Sequence, residues 1–343
     1  MIREWRAGDE AAWDDFVARQ AGARSCHLLA WKRVVEHAFG REACYLLSED
    51  AGGQIDGVLP VVRLRSWLFG DYLVSVPYLN YGGPCSGNSG VARQLIDAAA
   101  RTAARLGVQH LEVRTETPTD LGLKVRSTKV SMRLPLPESA DALSKRFPAK
   151  LRSQIRRSEL ELPIVTIGRD AAHVSAFYEV FAENMRDLGT PVYAKRFFET
   201  ILRELPGSSW ICSVHLGRQP VAAGFLVGFQ DMLEIPWASS LRRFNRFSPN
   251  MLLYWNVLKF ACERGYKVFD FGRSSPDSGT FRFKAQWGAE PVPLYWHYWT
   301  PEGRPLPDLS PKNPRMRLAI RAWQHLPVAV TKIIGPPIVK GLP

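Results

Sequence analysis

Apolar residues in the first half of the chain alternate between helical and extended periods. Helices are predicted over about Asp9–Gln20 and Trp31–Phe39, followed by strand-like runs at Cys44–Ser48, Ile55–Leu64 and Tyr72–Val76. A glycine-rich loop, Tyr81-Gly-Gly-Pro84, interrupts the pattern. Val91, Leu95, Ala99 and Leu106 then share one stripe of a helix from about Gly90 to Leu106; Gly107 supplies a left-handed cap, and Val108–Val113 reads as a strand. The second half repeats the order, with strands at Trp210–His215, Val221–Phe229 and Met232–Ala238, then a helix, a glycine and a strand. Ala-Arg-Leu-Gly107-Val-Gln-His-Leu-Glu-Val superposes on Glu-Arg-Gly265-Tyr-Lys-Val-Phe-Asp-Phe, which makes Glu112 and Asp270 equivalent. The pattern predicts an α/β (α+β) protein built on a duplicated domain.

Pro-Leu-Pro-Glu-Ser-Ala-Asp breaks the strand pattern between Leu134 and Phe147, so the domains are expected at 1–137 and 138–300. Pro301–Asn313 reads as a proline-rich linker and 314–343 as a basic tail with one helix, Arg315–His325. Pro327, Pro336 and Pro337 argue against a longer one.

At 343 residues the chain suits two ordinary cores, and 46% hydrophobic with 23% charged residues excludes disorder. The start, Met1-Ile-Arg-Glu-Trp-Arg, carries charge where a leader needs an apolar run, and no segment approaches a membrane span. The cytoplasm is the expected compartment. Cys26, Cys44, Cys85, Cys212 and Cys262 are scattered, without a Cys-x-x-Cys pair, which argues against a disulfide framework or zinc site. Cys85 lacks a His and Asp partner at useful spacing and is rejected as a nucleophile. A net charge of +12 favours an anionic partner: tRNA, coenzyme A, a nucleotide-linked substrate or an acidic membrane surface.

Candidate chemistry concentrates in Phe269-Asp-Phe-Gly-Arg-Ser-Ser-Pro-Asp-Ser-Gly-Thr-Phe-Arg-Phe-Lys-Ala-Gln-Trp-Gly288. A strand ends near Asp270, turns at Gly272 and leads into a loop presenting Arg273, Arg282 and Lys284. Loops at strand ends are where α/β folds place their sites. The segment resembles the Fem aminoacyltransferases, including FemAB-related proteins linked to exosortase and exopolysaccharide systems, which carry Tyr/Phe-Asp-Phe-Gly followed by Phe-Lys-x-x-Phe/Trp-Gly. The resemblance implies two tandem GNAT-like domains, each a mixed, mostly antiparallel sheet flanked by helices. It also implies that Lys284 takes the place of a functional lysine that supports the donor's charge or the developing oxyanion. Asp270 is a candidate proton acceptor from the attacking amine, directly or through water, and Arg273 completes the catalytic set.

Arg242-Arg-Phe-Asn-Arg246-Phe-Ser248-Pro-Asn250 leads into the second-half helix. Ser248 suits the N-cap and Pro249 the first turn, so free N–H groups and arginines could hold an anion. GNAT acetyltransferases bind the coenzyme A pyrophosphate there, but their Gln/Arg-x-x-Gly-x-Gly/Ala glycines are missing. Trp237, before this stretch, and Tyr254, inside the helix, join Arg242, Arg246, Ser248 and Asn250 as substrate-binding candidates. Three weaker matches extend the resemblance: His27-Leu-Leu-Ala-Trp31-Lys, whose Trp31 would line the acceptor pocket; Tyr78-Leu-Asn80-Tyr81-Gly-Gly-Pro84, at the acceptor cleft; and Asn184-Met-Arg186-Asp-Leu-Gly, with an acceptor-contacting arginine.

Lys145–Arg157 reads as a basic helix starting at Pro148, with Leu151 and Ile155 inward and room for tRNA phosphates outward; nothing there resembles base readout, and no specific DNA binding is expected. The tail mixes Arg315, Arg317, Arg321, Lys332 and Lys340 with apolar residues, which suits peripheral contact with an anionic leaflet as well as packing on the second domain. The expected function is acyl or aminoacyl transfer onto an amine of a cell-envelope (peptidoglycan) or exopolysaccharide precursor. No tightly bound cofactor is expected, and the donor stays open between aminoacyl-tRNA and acyl-CoA. The alternatives are an acyl-CoA-dependent GNAT N-acyltransferase and a non-catalytic adaptor of an exopolysaccharide assembly.

Overall fold

The computed structural model describes residues 1–118, 120–160, 163–302, 304–306 and 314–342. The chain divides into two units. The first comprises Met1–Lys129, Pro293–Leu309 and Lys340–Pro343, and the second Val130–Val292 and Ser310–Val339.

In the first unit, β1 (Ile2–Glu4), α1 (Glu10–Arg19), α2 (Ala30–Phe39), β2 (Leu46–Glu49) and β3 (Ile55–Leu59) precede the hairpin of β4 (Val62–Ser66) and β5 (Gly70–Val74). α3 (Ser89–Leu106) and β6 (Leu111–Thr115) follow. β1, β2 and β3 form one small sheet, and β4, β5 and β6 belong to another. The single run expected over Ile55–Leu64 is thus two strands, broken where Pro60 has no N–H to continue a ladder. The inward face of α3, with Val91, Leu95, Ile96, Ala99 and Ala103, packs on Leu59, Leu73, Leu111 and Val113 to form the core.

β7 (Lys124–Pro135) carries the chain into the second unit. There follow α4 (Ala140–Arg146), α5 (Ala149–Glu159), β8 (Ile164–Gly168), α6 (Ala171–Leu188) and α7 (Lys195–Glu204). Next come β9 (Ser209–Leu216), β10 (Gln219–Phe229), β11 (Met232–Ser240), α8 (Pro249–Glu263), β12 (Val268–Ser274) and α9 (Gly279–Ala285). The sheet order is β7-β12-β11-β10-β9-β8, antiparallel except for β11 beside β12. α5 begins after Pro148 and buries Leu151 and Ile155, as its spacing implies.

Two end strands move the domain boundary from the expected 137/138. Val130–Pro135 pair with β12 in the second unit, whereas Tyr295–Trp299 of β13 (Glu290–Trp299) pair with β6 in the first. The tail also differs from expectation: α10 (Pro314–Gln324) is followed by α11 (Val328–Val339), which runs through Pro336 and Pro337. Both pack on α6, while Lys340 and Gly341 accept hydrogen bonds from Tyr78 and Tyr72 in the first unit. Most of the expected linker, from residue 307 to 313, lies outside the described residues.

The repeat is visible at the level of single hydrogen bonds. At the end of α3 the amides of Gly107 and Val108 donate to Ala104 and Ala103; at the end of α8 those of Gly265 and Tyr266 donate to Cys262 and Ala261. Both glycines have positive φ, 64° and 79°, as this cap requires. Five residues on, Glu112 stands beside Val74 in the parallel pair of β5 and β6, and Asp270 beside Glu234 in the parallel pair of β11 and β12.

Candidate functional site

The pairing of β11 with β12 runs only from Met232–Val268 to Glu234–Asp270, although β11 continues to Ser240 and β12 to Ser274. Two features turn β11 away. It stays paired with β10 as far as Ser240, and a bulge sets Ile235 and Pro236 against Leu226 alone. β12 is held on its other side by β7, as far as Ser274 against Val130. The parallel pair therefore forks, and the β11 edge beyond Glu234 turns backbone amides and carbonyls toward the opening rather than toward β12.

Lys284 sits at the fork. Ser278 caps α9 by accepting from the Phe281 amide, and this short helix points Lys284 back at the strand end. Its Nζ donates to the carbonyls of Gly272, 2.9 Å, and Arg273, 3.0 Å. Gly272 has φ of 76°, which lets the chain turn so that consecutive carbonyls meet one cation. An ammonium carries three donors, so among the described residues one N–H remains for a ligand. Burial lowers the Lys284 pKa to about 8; Asp270 and Glu234 oppose that shift and the Arg273 charge adds to it.

Asp270 is fully buried. It accepts from Ser131 Oγ at 2.6 Å, Arg133 Nε at 3.0 Å and the Gly272 amide at 2.7 Å. The expected proton acceptor thus lies inside the protein with its carboxylate oxygens engaged by Ser131, Arg133 and the Gly272 amide. Glu234, buried beside Asp270, carries no motif and escapes sequence reading; the register of the parallel pair reveals it.

The same position in the first unit is built differently. Arg114 stands where the second unit has Gly272, counting from the repeat glycines, and its guanidinium binds Glu112 at 2.7 Å and the Leu79 carbonyl. Arg114 is 2% exposed, so an internal ion pair closes this position, and Val74 replaces Glu234. The second unit alone pairs a side-chain-free turn with a cation aimed at it.

Of the other expected residues, Tyr254 lies near Lys284, stacked on Phe271 at 5.4 Å and against Phe283 of α9. Arg273 is exposed and offers its backbone carbonyl to Lys284. Ser248 precedes α8 in a left-handed conformation, φ 53°, and makes no side-chain cap bond, so first-turn amides of α8 lack that partner. Asn250, half-buried, is in that turn. Arg242 donates to the Asp187 carbonyl and Arg243 pairs with Glu183, whereas Arg246 is exposed over the Phe247 ring at 4.4 Å. Trp237 belongs to an aromatic core cluster with Tyr193, Phe197, Phe198 and Phe225. Arg186 pairs with Asp187 at 2.7 Å and donates to Leu326; its neighbour Asn184 is the one that reaches β11, at Ser239.

The first unit holds a separate cavity of about 340 Å³, lined by Arg24, His27, Tyr81, Gly83, Ser89 and Glu116 among others. His27 Nδ1 accepts from the Arg24 amide, so Nε2 carries the proton and donates to Gly83 at 3.0 Å, which fixes the glycine-proline turn. Burial lowers the His27 pKa to about 4. Arg24 and Glu116 form an ion pair at 2.7 Å on the cavity wall. Tyr81 is thus on the cavity, Asn80 is half-buried next to it in sequence, and Trp31 is core at 1% exposure. Burial raises the Cys85 pKa to about 12, far from a reactive thiolate.

Residues 145–285 match the sequence profile of an acetyltransferase (GNAT) domain, which spans the fork, α8 and Lys284. The solved structure of FemX superposes with a TM-score of 0.65 over 86% of this chain and 96% of its own, at 15% identity. A tandem GNAT protein from the clavulanic acid biosynthesis pathway does so with 0.54, over 90% and 99%, at 13% identity. The fold is that of two GNAT-like domains. The C-terminal domain of a putative lysylphosphatidylglycerol synthetase from Agrobacterium fabrum superposes with a TM-score of 0.58 over 85% of this chain and 92% of its own, at 13% identity. No curated protein matches the chain by sequence. At these identities the likeness to solved structures is one of fold, and within the tandem GNAT-like chain the profile match falls on the domain whose strands part.

Proposed function

We propose that the protein transfers an activated acyl or aminoacyl group to an amino group of a cell-envelope or exopolysaccharide precursor, forming an amide. The observation that carries this reading is the fork of β11 and β12 with an ammonium at its base. An extended acyl donor can lie along the open edge of β11 and hydrogen-bond its backbone, as added strands do. The amine nitrogen attacks the acyl carbonyl, and the third N–H of Lys284 stabilises the oxyanion that forms. The C–N bond replaces the C–O or C–S bond to the donor, and the amine proton passes through water to the departing oxygen or sulfur. Asp270 and Glu234 keep Lys284 charged, Arg246 and the α8 amides meet the donor's phosphates, and Tyr254 walls the acyl group.

A second reading, acyl-CoA as the donor, is favoured by the match of residues 145–285 to an acetyltransferase profile. Against it stands the turn of Arg242–Phe247 before α8, which holds arginine–phenylalanine pairs where a glycine-rich pyrophosphate loop would be. The test offers labelled aminoacyl-tRNA and acyl-CoA in parallel to peptidoglycan and exopolysaccharide precursors bearing free amines. Amide product from aminoacyl-tRNA supports the first reading and product from acyl-CoA the second; product from neither refutes transfer.

A further inference from the structure

The face of α11 turned away from the protein carries apolar side chains where a soluble helix carries charge. α11 buries Thr331, Gly335 and Val339, at helical spacing, on the side packed against α6. On the opposite side Val330 (38%), Ile333 (75%) and Ile334 (39%) are exposed, and Pro337 completes the same stripe. Leu318 on α10, 72% exposed, and Leu188 at the end of α6, 51% exposed, add to the apolar surface of this unit. Large exposed apolar surface of this kind marks a partner or a lipid boundary.

Charge selects between them. After Asp308 the chain has no acidic residue, whereas Lys312, Arg315, Arg317, Arg321, Lys332 and Lys340 are basic. Arg317, Arg321 and Lys340 are exposed. A C-terminal segment that combines an exposed apolar helix face with basic residues and no acid suits an interface of acyl chains and anionic headgroups. α11 has 12 residues, too short to span a bilayer, and no described helix is long and apolar enough to do so. The element is also pre-built. Gln324 donates to Asp187 and Arg186 to Leu326 ahead of α11, and Arg41 and Tyr78 bind the Lys340 carbonyl after it, so membrane contact orders no loose segment.

We propose that α11, with the basic residues of α10, docks the protein on the surface of an anionic phospholipid bilayer, with Ile333 and Ile334 seated among the acyl chains. This inference is independent of the transferase reading, because its readout is vesicle binding. The full-length protein is floated with vesicles of phosphatidylcholine alone and of phosphatidylcholine mixed with phosphatidylglycerol. The expected result is binding to the phosphatidylglycerol vesicles that weakens about tenfold or more in I333S/I334S and severalfold in R317Q/R321Q. Both variants alter exposed positions and are expected to melt with the parent. Absence of binding, binding equal on the two vesicle types, or binding unchanged in I333S/I334S overturns the proposal. So does a self-association without lipid binding that I333S/I334S dissolves, since a second copy would then be the occupant.

Discussion

Lys284 has two of its donors on the carbonyls of Gly272 and Arg273 and a pKa of about 8, against an ordinary 10.5. Its charge is therefore present at neutral pH and lost just above it. If the ammonium stabilises the oxyanion, kcat/KM is expected to fall as pH rises through about 8, and K284R to move that limb upward. Stability runs the other way. Between about 8 and 10.5 the unfolded chain binds more protons at this group than the folded one, so the contribution to stability rises with pH and the cost is fully present below 8. K284M is accordingly expected to melt no lower than the parent at pH 7 while losing activity. His27 has the same sign in another window. Folded at about 4 and unfolded near 6.5, it withdraws stability as pH falls from 6.5 toward 4. H27A removes the bond to Gly83 that fixes the glycine-proline turn and the bond from the Arg24 amide, and urea unfolding at pH 7 is expected to show a loss of about 2 kcal/mol. Within the segments that the sequence singles out, packing decides which side chains turn into the core and which face open space. Trp31 was expected at the acceptor pocket because a motif has it there, but its large apolar surface is buried in the core, and His27 and Arg24 face the cavity. Arg186 is engaged with Asp187, while Asn184 donates to Ser239 of β11.

The fork between β11 and β12 is the element on which the proposed site rests. It arises from a bulge at Ile235–Pro236 on one side and ladder pairing to β7 on the other, so no local signal in β11 announces it. Glu234 is invisible for the same reason, since only strand register places it beside Asp270. What the chain does show locally is the pair of glycine caps, because a left-handed residue after an amphipathic helix is a property of a few neighbouring residues. Those caps carry most of the architecture: count seven from each, and Arg114 closes one unit where Gly272 opens the other. G272A places a side chain at φ 76° and is expected to cost about 1 kcal/mol. It should also slow turnover by displacing the carbonyls that hold Lys284. Donor binding is expected to slow amide hydrogen exchange in Ile235–Ser240 while leaving β6 unchanged, and protection confined to β6 would place the donor in the wrong unit. Ser248 marks the limit of cap rules. Its type suits the position, yet the preceding turn sets it at φ 53°, where its hydroxyl makes no cap bond.

For the whole molecule, duplication and fold class are legible in the sequence, while the boundary is not. Strand propensity cannot tell which partner strand Val130–Pro135 or Tyr295–Trp299 will pair with, and both pairings cross the expected division. The tail was underestimated because Pro336 and Pro337 argue against a helix locally, whereas the packing of Thr331, Gly335 and Val339 on α6 sustains one. Net charge of +12 belongs to this scale too: the donor's KM is expected to rise with ionic strength more steeply than the acceptor's. The most direct test of the central claim compares amide formation by the parent, K284M and C85S with whichever donor supports transfer. A loss of about a hundredfold in K284M is expected, with C85S close to the parent. Equal rates for K284M and the parent would contradict the assignment of the reaction to the fork.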